Sequence, residues 1–243
     1  MALSILSTAF MNIRASLEHI LPAQPCLLCG ALSHDGICCA ACRAELPRLS
    51  SAHCPTCALP TLAGETCGKC LRHPPHFDHT IAAFSYGFPI SQLVKALKFR
   101  EQLLLVNFLA DELVTRIAVT PDMIVAMPLH PTRMRSRGYN QSQLLAERIA
   151  SRMKVMLGSD VCHRVRDTPP QSSLPLKERD KNMRQAFSVS HPKTIRGKHI
   201  AIVDDVMTSS ASMEELAKIL KKAGAVTVTA CVVARTMPHN HDS

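Results

Sequence analysis

Beyond residue 79 the chain alternates two kinds of apolar pattern. Short runs of strand length occur at "TIAAFSYG" (80–87), "MIVAMPLH" (123–130), "HIAIVDD" (199–205) and "VTVTACVVA" (226–234). Between them the apolar residues recur every three or four positions. "PISQLVKALKF" puts Ile90, Leu93, Val94 and Leu97 on one helical face, and "LLLVNFLADELVTRIA" and "NQSQLLAERIASRM" predict two further helices. In "SMEELAKILKKAG" the stripe is Met213, Leu216, Ala217 and Leu220, with Gly224 as the residue that stops the helix. Continuous apolar strands separated by amphipathic helices predict an α/β domain with a mostly parallel sheet flanked by helices, spanning 76–237 with a short tail at 238–243.

The first 24 residues follow a different rule. Leu6, Phe10, Ile13, Leu17 and Ile20 keep helical spacing, which predicts an amphipathic helix over 1–24. The stretch has no basic leading region and is broken by Arg14, so it does not read as a targeting segment. No run of about 18 apolar residues occurs, so no membrane span is expected and the expected location is cytoplasmic. With 47% hydrophobic residues in 243, only 4% aromatics and no Trp, the chain can bury a full, mainly aliphatic core.

Cysteine changes the picture for residues 25–75. Nine of the 11 cysteines lie between Cys26 and Cys70, and eight form CxxC pairs: Cys26/Cys29, Cys39/Cys42, Cys54/Cys57 and Cys67/Cys70. The second two pairs repeat the first two with an offset of 28 residues. A CxxC turn points two thiolates at one ion, and a second knuckle completes a tetrahedral sulfur site, so the spacing predicts a double zinc ribbon with two structural zinc ions. Disulfides and an iron–sulfur cluster are the competing readings. Cys38 adjoins Cys39 and competes with it as a ligand, while Cys162 and Cys231 read as plain buried thiols. "LRHPPHFDH" (71–79) reads as the joint to the larger domain, and its His73, His76 and His79 read as surface or packing residues before metal ligands.

Charge singles out one further segment. Residues 127–199 carry 15 Lys/Arg against five Asp/Glu, and the rest of the chain is close to neutral. A localised excess points to an anionic partner, the bland alternative being a solvated basic face.

The candidate chemistry sits in "IAIVDDVMTSSAS" (200–212). Ile200 to Asp204 reads as a buried strand ending in two adjacent acids, followed by a hydroxyl-rich loop and a helix. In an open parallel sheet, ligands bind beyond the carboxyl ends of the strands. A helix N-terminus there favours an anion, and Thr208, Ser209, Ser210 and Ser212 add hydroxyl donors. Two carboxylates do not suit a phosphate, but they accept bonds from sugar hydroxyls or face Mg²⁺. The combination describes a sugar phosphate; the competing reading is an acidic strand end that merely caps a helix.

This stretch resembles the PRPP loop of type I phosphoribosyltransferases. The wider chain resembles the ComF family, in which double cysteine knuckles precede a phosphoribosyltransferase-like domain. The resemblance rests on the four CxxC pairs, "LVKALKF", "MPLHPTRMRSRGYNQSQLLA", "QSSLPLKERDKNMRQAF" and the Asp–Asp loop, in order over residues 26–236. It implies that Asp204 and Asp205 meet ribose hydroxyls, and that Val206, Met207, Thr208, Ser209, Ser210, Ala211 and Ser212 wrap a 5′-phosphate. It implies a pyrophosphate loop at Leu129, His130 and Arg133, within the turn after Pro128. A mobile hood would lie over about 164–187, with Gln171, Arg179, Asn182 and Arg184. Arg135 and Arg137 join Arg179 and Arg184 as candidates for DNA or pyrophosphate. The loop glycine of the family is Ser210 in this chain, which puts turnover in question. The implied ligands are PRPP with Mg²⁺, or another ribose 5-phosphate, and single-stranded DNA, with other DNA-uptake proteins as partners. The functional expectation is a competence or DNA-utilisation protein with a PRPP-type site; the alternative is a PRPP-dependent transferase with an unknown acceptor. Tyr139 and Phe187 are the only aromatics in the basic segment, so base stacking is expected to be limited.

Overall fold

The computed structural model describes residues 23–34, 36–97, 103–168 and 175–238. The expected N-terminal helix, Gln171 and the tail from 239 lie outside the described residues. The chain divides into two compact units between Leu46 and Pro47.

In the first unit, strands β1 (Gln24–Pro25) and β2 (Leu32–Ser33) form a small antiparallel pair, and α1 (Ala40–Ala44) is capped by Cys39 and contains Cys42 of the second CxxC pair. The Cys26 turn closes through Cys26 N donating to Ala31 O and Gly30 N donating to Cys26 O, both at 2.8 Å. The second unit repeats this locally: Cys54 N donates to Leu59 O and Ala58 N to Cys54 O, again at 2.8 Å, before α2 (Gly68–Arg72).

The rest of the second unit is built on five parallel strands. β3 (His79–Ser85), β4 (Met123–Ala126), β5 (Met156–Leu157), β8 (His199–Met207) and β9 (Thr227–Arg235) lie in the order β3-β9-β8-β4-β5. The connecting helices are α3 (Ile90–Ala96), α4 (Leu103–Val114), α5 (Pro131–Arg137), α6 (Gln141–Met153), α7 (Leu176–Met183), α8 (Pro192–Ile195) and α9 (Ala211–Lys222). An antiparallel pair, β6 (Cys162–Arg164) with β7 (Phe187–Val189), lies outside the sheet.

Alternation along the strands explains the layers. Met123, Val125, Ile200, Ile202, Val228, Ala230 and Val232 join Met213, Leu216, Ala217 and Leu220 of α9 in one buried cluster. Their neighbours Ile124, Ala201 and Val203 project to the opposite face. Met213, Leu216 and Leu220 of the α9 stripe each contribute roughly 1.5–3 kcal/mol by leaving water. The helix ends where the sequence predicts, with Gly224 at φ +99° just past the cap.

Three local features differ from the sequence reading. β8 does not stop at Asp204: it continues through both acids to Met207, because Asp204 pairs with Val232 and Val206 with Ala234 on β9. The segment after Pro128 is a turn only as far as His130, whose ring accepts from Thr132 N at 3.3 Å and starts α5 at Pro131. The β6–β7 pair has no counterpart among the predicted strands; three residues carry too little periodicity to read.

Candidate functional site

The two acids stand at the carboxyl end of β8, at the centre of the sheet. Asp204 Oδ1 accepts from Ser142 Oγ at 2.8 Å and from Asp205 N at 2.9 Å, and Asp205 Oδ1 accepts from Val206 N at 2.7 Å. Burial, then the adjacent Asp205 carboxylate, pushes Asp204 up to about 8, against the opposing pull of the Ser142 and Asp205 donors. Near neutral pH Asp204 therefore holds its proton more readily than an ordinary carboxyl does, beside the Asp205 carboxylate. Both can accept from vicinal hydroxyls, and the protonated member can also donate.

The motif "RGYNQS" holds this geometry. Gly138 closes α5 at φ +82°, and Tyr139 OH donates to Leu97 O. Asn140 caps α6 by accepting from Ser142 N at 3.0 Å, while its amide donates to Met127 O at the end of β4. Arg137 donates to Gln141 at 2.7 Å. Ser142 is thus aimed at Asp204 by a helix cap. The sequence marks the motif as distinctive, but nothing in it names Ser142 as the partner of an acid 62 residues away.

Beyond Met207 the chain turns into α9 through Thr208, Ser209 and Ser210. Ser210 has φ +73°, the left-handed conformation that glycine adopts freely, and its side chain makes no capping bond. Thr208, Ser210, Ala211, Ser212 and the strand end line a notch of about 30 Å³ at the N-terminus of the twelve-residue α9. Ser209 Oγ is buried and has no partner among the described residues. First-turn amides and a helix dipole suit a compact anion in that notch.

The second distinctive motif, "RDKNMRQAF", docks on this loop. Arg179 Nη1 on α7 donates to Thr208 Oγ1 at 3.2 Å, Gln185 N donates to Glu215 on α9 at 2.7 Å, and Met183, Ala186 and Phe187 are buried. Arg184 is exposed, and its carbonyl accepts from Arg166. Phe187 lies under the Arg164 guanidinium, 5.9 Å from its carbon, and is closed to base stacking.

After Pro128, Leu129 lines a cavity of about 490 Å³ together with Arg164. His130 is half-buried, with its Nδ1 3.5 Å from Asp167. Arg133 is on α5; Arg164, held below the ordinary guanidinium range first by burial and then by Arg133, also feels Asp167 and Asp204. Arg164 is a cation of the site that the sequence reading did not single out. Arg135 points to no acid among the described residues and is exposed.

Both cysteine quartets are assembled. In each, the four sulfurs lie within 4.8 Å of one another. A tetrahedral zinc centre with Zn–S near 2.3 Å needs sulfurs ~3.8 Å apart. Cys29 and Cys39 are 3.9 Å apart, and Cys57 and Cys67 are 3.6 Å apart. Burial raises the Cys26 and Cys54 thiols, but backbone amides outweigh it and bring them down to about 6 and about 7, into thiolate range. The residues fit structural zinc. Cys39, not Cys38, belongs to the first quartet; Cys38 is buried, and its thiol is pushed up to about 11. Cys162 and Cys231 are buried thiols pushed up to about 12 by burial. Of the three histidines at 73–79, His76 grips Glu214 of α9 and His79 opens β3; among the described residues none joins a metal-ligand group.

No helix among the described residues is long and apolar enough to cross a membrane. The Double zinc ribbon domain matches residues 16–71, and the Phosphoribosyl transferase domain matches residues 140–241. The chain is 36% identical over 226 residues to the DNA utilization protein YhgH of Salmonella typhi, covering 87% of this chain and 97% of that protein. It is 30% identical over 178 residues to Competence protein F of Haemophilus influenzae, covering 70% and 78% of the two chains. It is 24% identical over 216 residues to Competence protein ComFC of Bacillus subtilis, covering 84% and 87%. Cysteine quartets, parallel sheet and relatives agree: the chain belongs to the ComF family, a double zinc ribbon joined to a phosphoribosyltransferase-like domain.

Proposed function

We propose that this chain binds a 5′-phosphorylated pentose, either PRPP with Mg²⁺ or the 5′ end of single-stranded DNA, and serves the use of incoming DNA in the cytoplasm. The observation that carries the reading is the juxtaposition at the end of β8: two acids, a left-handed hydroxyl loop and the N-terminus of α9. In this reading Asp204 and Asp205 hold the 2′,3′-diol of PRPP, which the deoxyribose of a DNA 5′ end lacks, and residues 206–212 hold the 5′-phosphate of either ligand. Arg179 steadies Thr208, and Leu129, His130 and Arg133 meet a pyrophosphate. Arg135 and Arg184 are then available to a nucleic-acid backbone, while Arg137 is held by Gln141. The relatives named for DNA utilisation and competence favour the DNA-linked form. The large cavity beside Leu129 and Arg164 favours a second reading, a PRPP-dependent transferase with room for an acceptor.

Calorimetry with PRPP plus Mg²⁺, and with a short oligonucleotide bearing either a 5′-phosphate or a 5′-hydroxyl, separates these. A 5′-phosphate preference supports the DNA reading; PRPP binding with no such preference supports the transferase. Asp205→Asn removes a charged acceptor worth about 1.5–3 kcal/mol, so affinity for PRPP should fall about tenfold to a hundredfold. Unchanged affinity in a folded Asp205→Asn protein removes the acids from the site.

A further inference from the structure

Arg235, the last residue of β9, is only 3% exposed, yet among the described residues no carboxylate pairs with it. Its guanidinium is spent on main-chain carbonyls. Nε donates to Cys57 O at 2.8 Å, and Nη1 donates to Met207 O at 2.7 Å, to Thr208 O and to Thr236 O. Cys57 is a ligand of the second quartet, and Met207 and Thr208 lead into the hydroxyl loop. One rigid, planar donor therefore ties a metal-binding knuckle to the loop that ends in Ser210.

Two further links run the same way. Buried Thr80 on β3 donates through its hydroxyl to Thr56 O at 2.5 Å and through its amide to Pro55 O at 3.0 Å, with Met207 Sδ 4.0 Å from the hydroxyl. His76, six residues after Cys70, meets the Glu214 carboxylate in the first turn of α9 with its amide at 2.8 Å and its ring at 2.5 Å. Between these links a cavity of about 240 Å³ is walled by Cys57, Cys70, Lys69 and His73 on one side and by Ser209 and Ser210 on the other. Four thiolates around a divalent ion also leave two negative charges in excess, one of which the buried guanidinium beside Cys57 offsets.

We infer that the second cysteine quartet is part of the anion site: Arg235 is a positioning residue through which metal at Cys54, Cys57, Cys67 and Cys70 sets the shape of the 207–210 loop, so that zinc and sugar phosphate bind cooperatively. The inference rests on the sugar-phosphate reading above. A left-handed serine persists only where its surroundings over-determine it, and the Arg235 bonds do that from the two residues before the turn. Coupling between two sites is reciprocal, so a ligand on the loop must tighten the metal site by the same factor that the metal tightens the ligand.

The test uses the zinc-loaded full chain and resolves the two quartets by timed N-ethylmaleimide labelling read by peptide mass spectrometry, with ribose 5-phosphate as the probe. Ribose 5-phosphate should slow labelling of Cys54, Cys57, Cys67 and Cys70 about fivefold or more, a typical coupling factor, and leave Cys26, Cys29, Cys39 and Cys42 unchanged. Arg235→Lys, which keeps the charge but cannot span both carbonyls, should speed labelling of the second quartet without ligand and abolish the ligand effect. If calorimetry shows that ribose 5-phosphate binds and the labelling of both quartets responds equally or not at all, the coupling is overturned. If ribose 5-phosphate does not bind, the reading of the site falls and ligand coupling falls with it. In that event unaltered labelling in Arg235→Lys overturns the mechanical link as well.

Discussion

At Ser210 the backbone takes φ +73°, a conformation that costs a non-glycine residue about 1–2 kcal/mol. Its hydroxyl makes no capping bond, so little offsets that cost within the chain itself. Ser210→Gly should therefore raise stability by about 1 kcal/mol, seen as a rise of roughly 2–4 °C in the calorimetric midpoint. An unchanged or lowered midpoint would show that the hydroxyl contributes as much as the strain takes away. Asp204 offers a second test at this scale. Its folded carboxyl titrates far above its unfolded range, so the native state holds a proton that the unfolded chain releases. That contribution is fully present below the unfolded value near pH 4 and is lost as pH rises toward about 8. Urea midpoints at pH 5 and pH 8 should fall less steeply for Asp204→Asn than for the parent protein, whose other titrating groups are the same in both. Equal slopes would mean that Asp204 is ionised throughout.

At the scale of elements, the informative feature is where the two motif-bearing helices end. The α6 cap at Asn140 aims Ser142 at Asp204, and α7 delivers Arg179 to Thr208. The basic excess of 127–199 is partly consumed in structure: Arg148 and Arg152 pair with Asp111 at 3.2 and 2.9 Å, Arg164 is half-buried over Phe187, and Arg137 is tied to Gln141. Arg133 and Arg135 on α5 remain as candidates for phosphate contact. If single-stranded DNA crosses this helix, converting both to Gln should flatten the slope of log affinity against log salt by about 1.4, at ~0.7 per contact. A slope that does not change would move the DNA contact to another element.

At the scale of the molecule, the cysteine repeat divides between the two compact units, with the second quartet in the same unit as the sheet. Elemental analysis of protein purified without chelator should find two zinc ions per chain; four disulfides and no metal would reverse the assignment. The repeat suggests two equivalent ribbons, but their losses should not be equivalent. Cys54→Ser should lower the stability of the sheet domain, since Pro55, Thr56 and Cys57 are bonded to Thr80 and Arg235. Cys29→Ser should leave that transition in place. Thermal unfolding followed by far-ultraviolet circular dichroism distinguishes the two, and matching losses would mean that the ribbons are interchangeable.

The parts of the fold with a local signal are legible in the residues alone. Apolar runs and helical stripes gave β3, β4, β8, β9, α3, α4, α6 and α9, because burial imposes a period of 2 or 3.6 on neighbouring positions. The CxxC spacing gave both quartets, because two thiolates on one turn must converge on a single ion. Only the tertiary structure could choose Cys39 over Cys38, extend β8 past its two acids, or bring Ser142, Arg164 and Arg235 to the site. Those outcomes depend on partners 13 to 178 residues away. An arginine at the end of an apolar strand, or a serine in the first turn of a helix, has the same local pattern whatever it meets. Its role is set when the sheet closes and a distant carbonyl or carboxylate needs a donor that water can no longer supply.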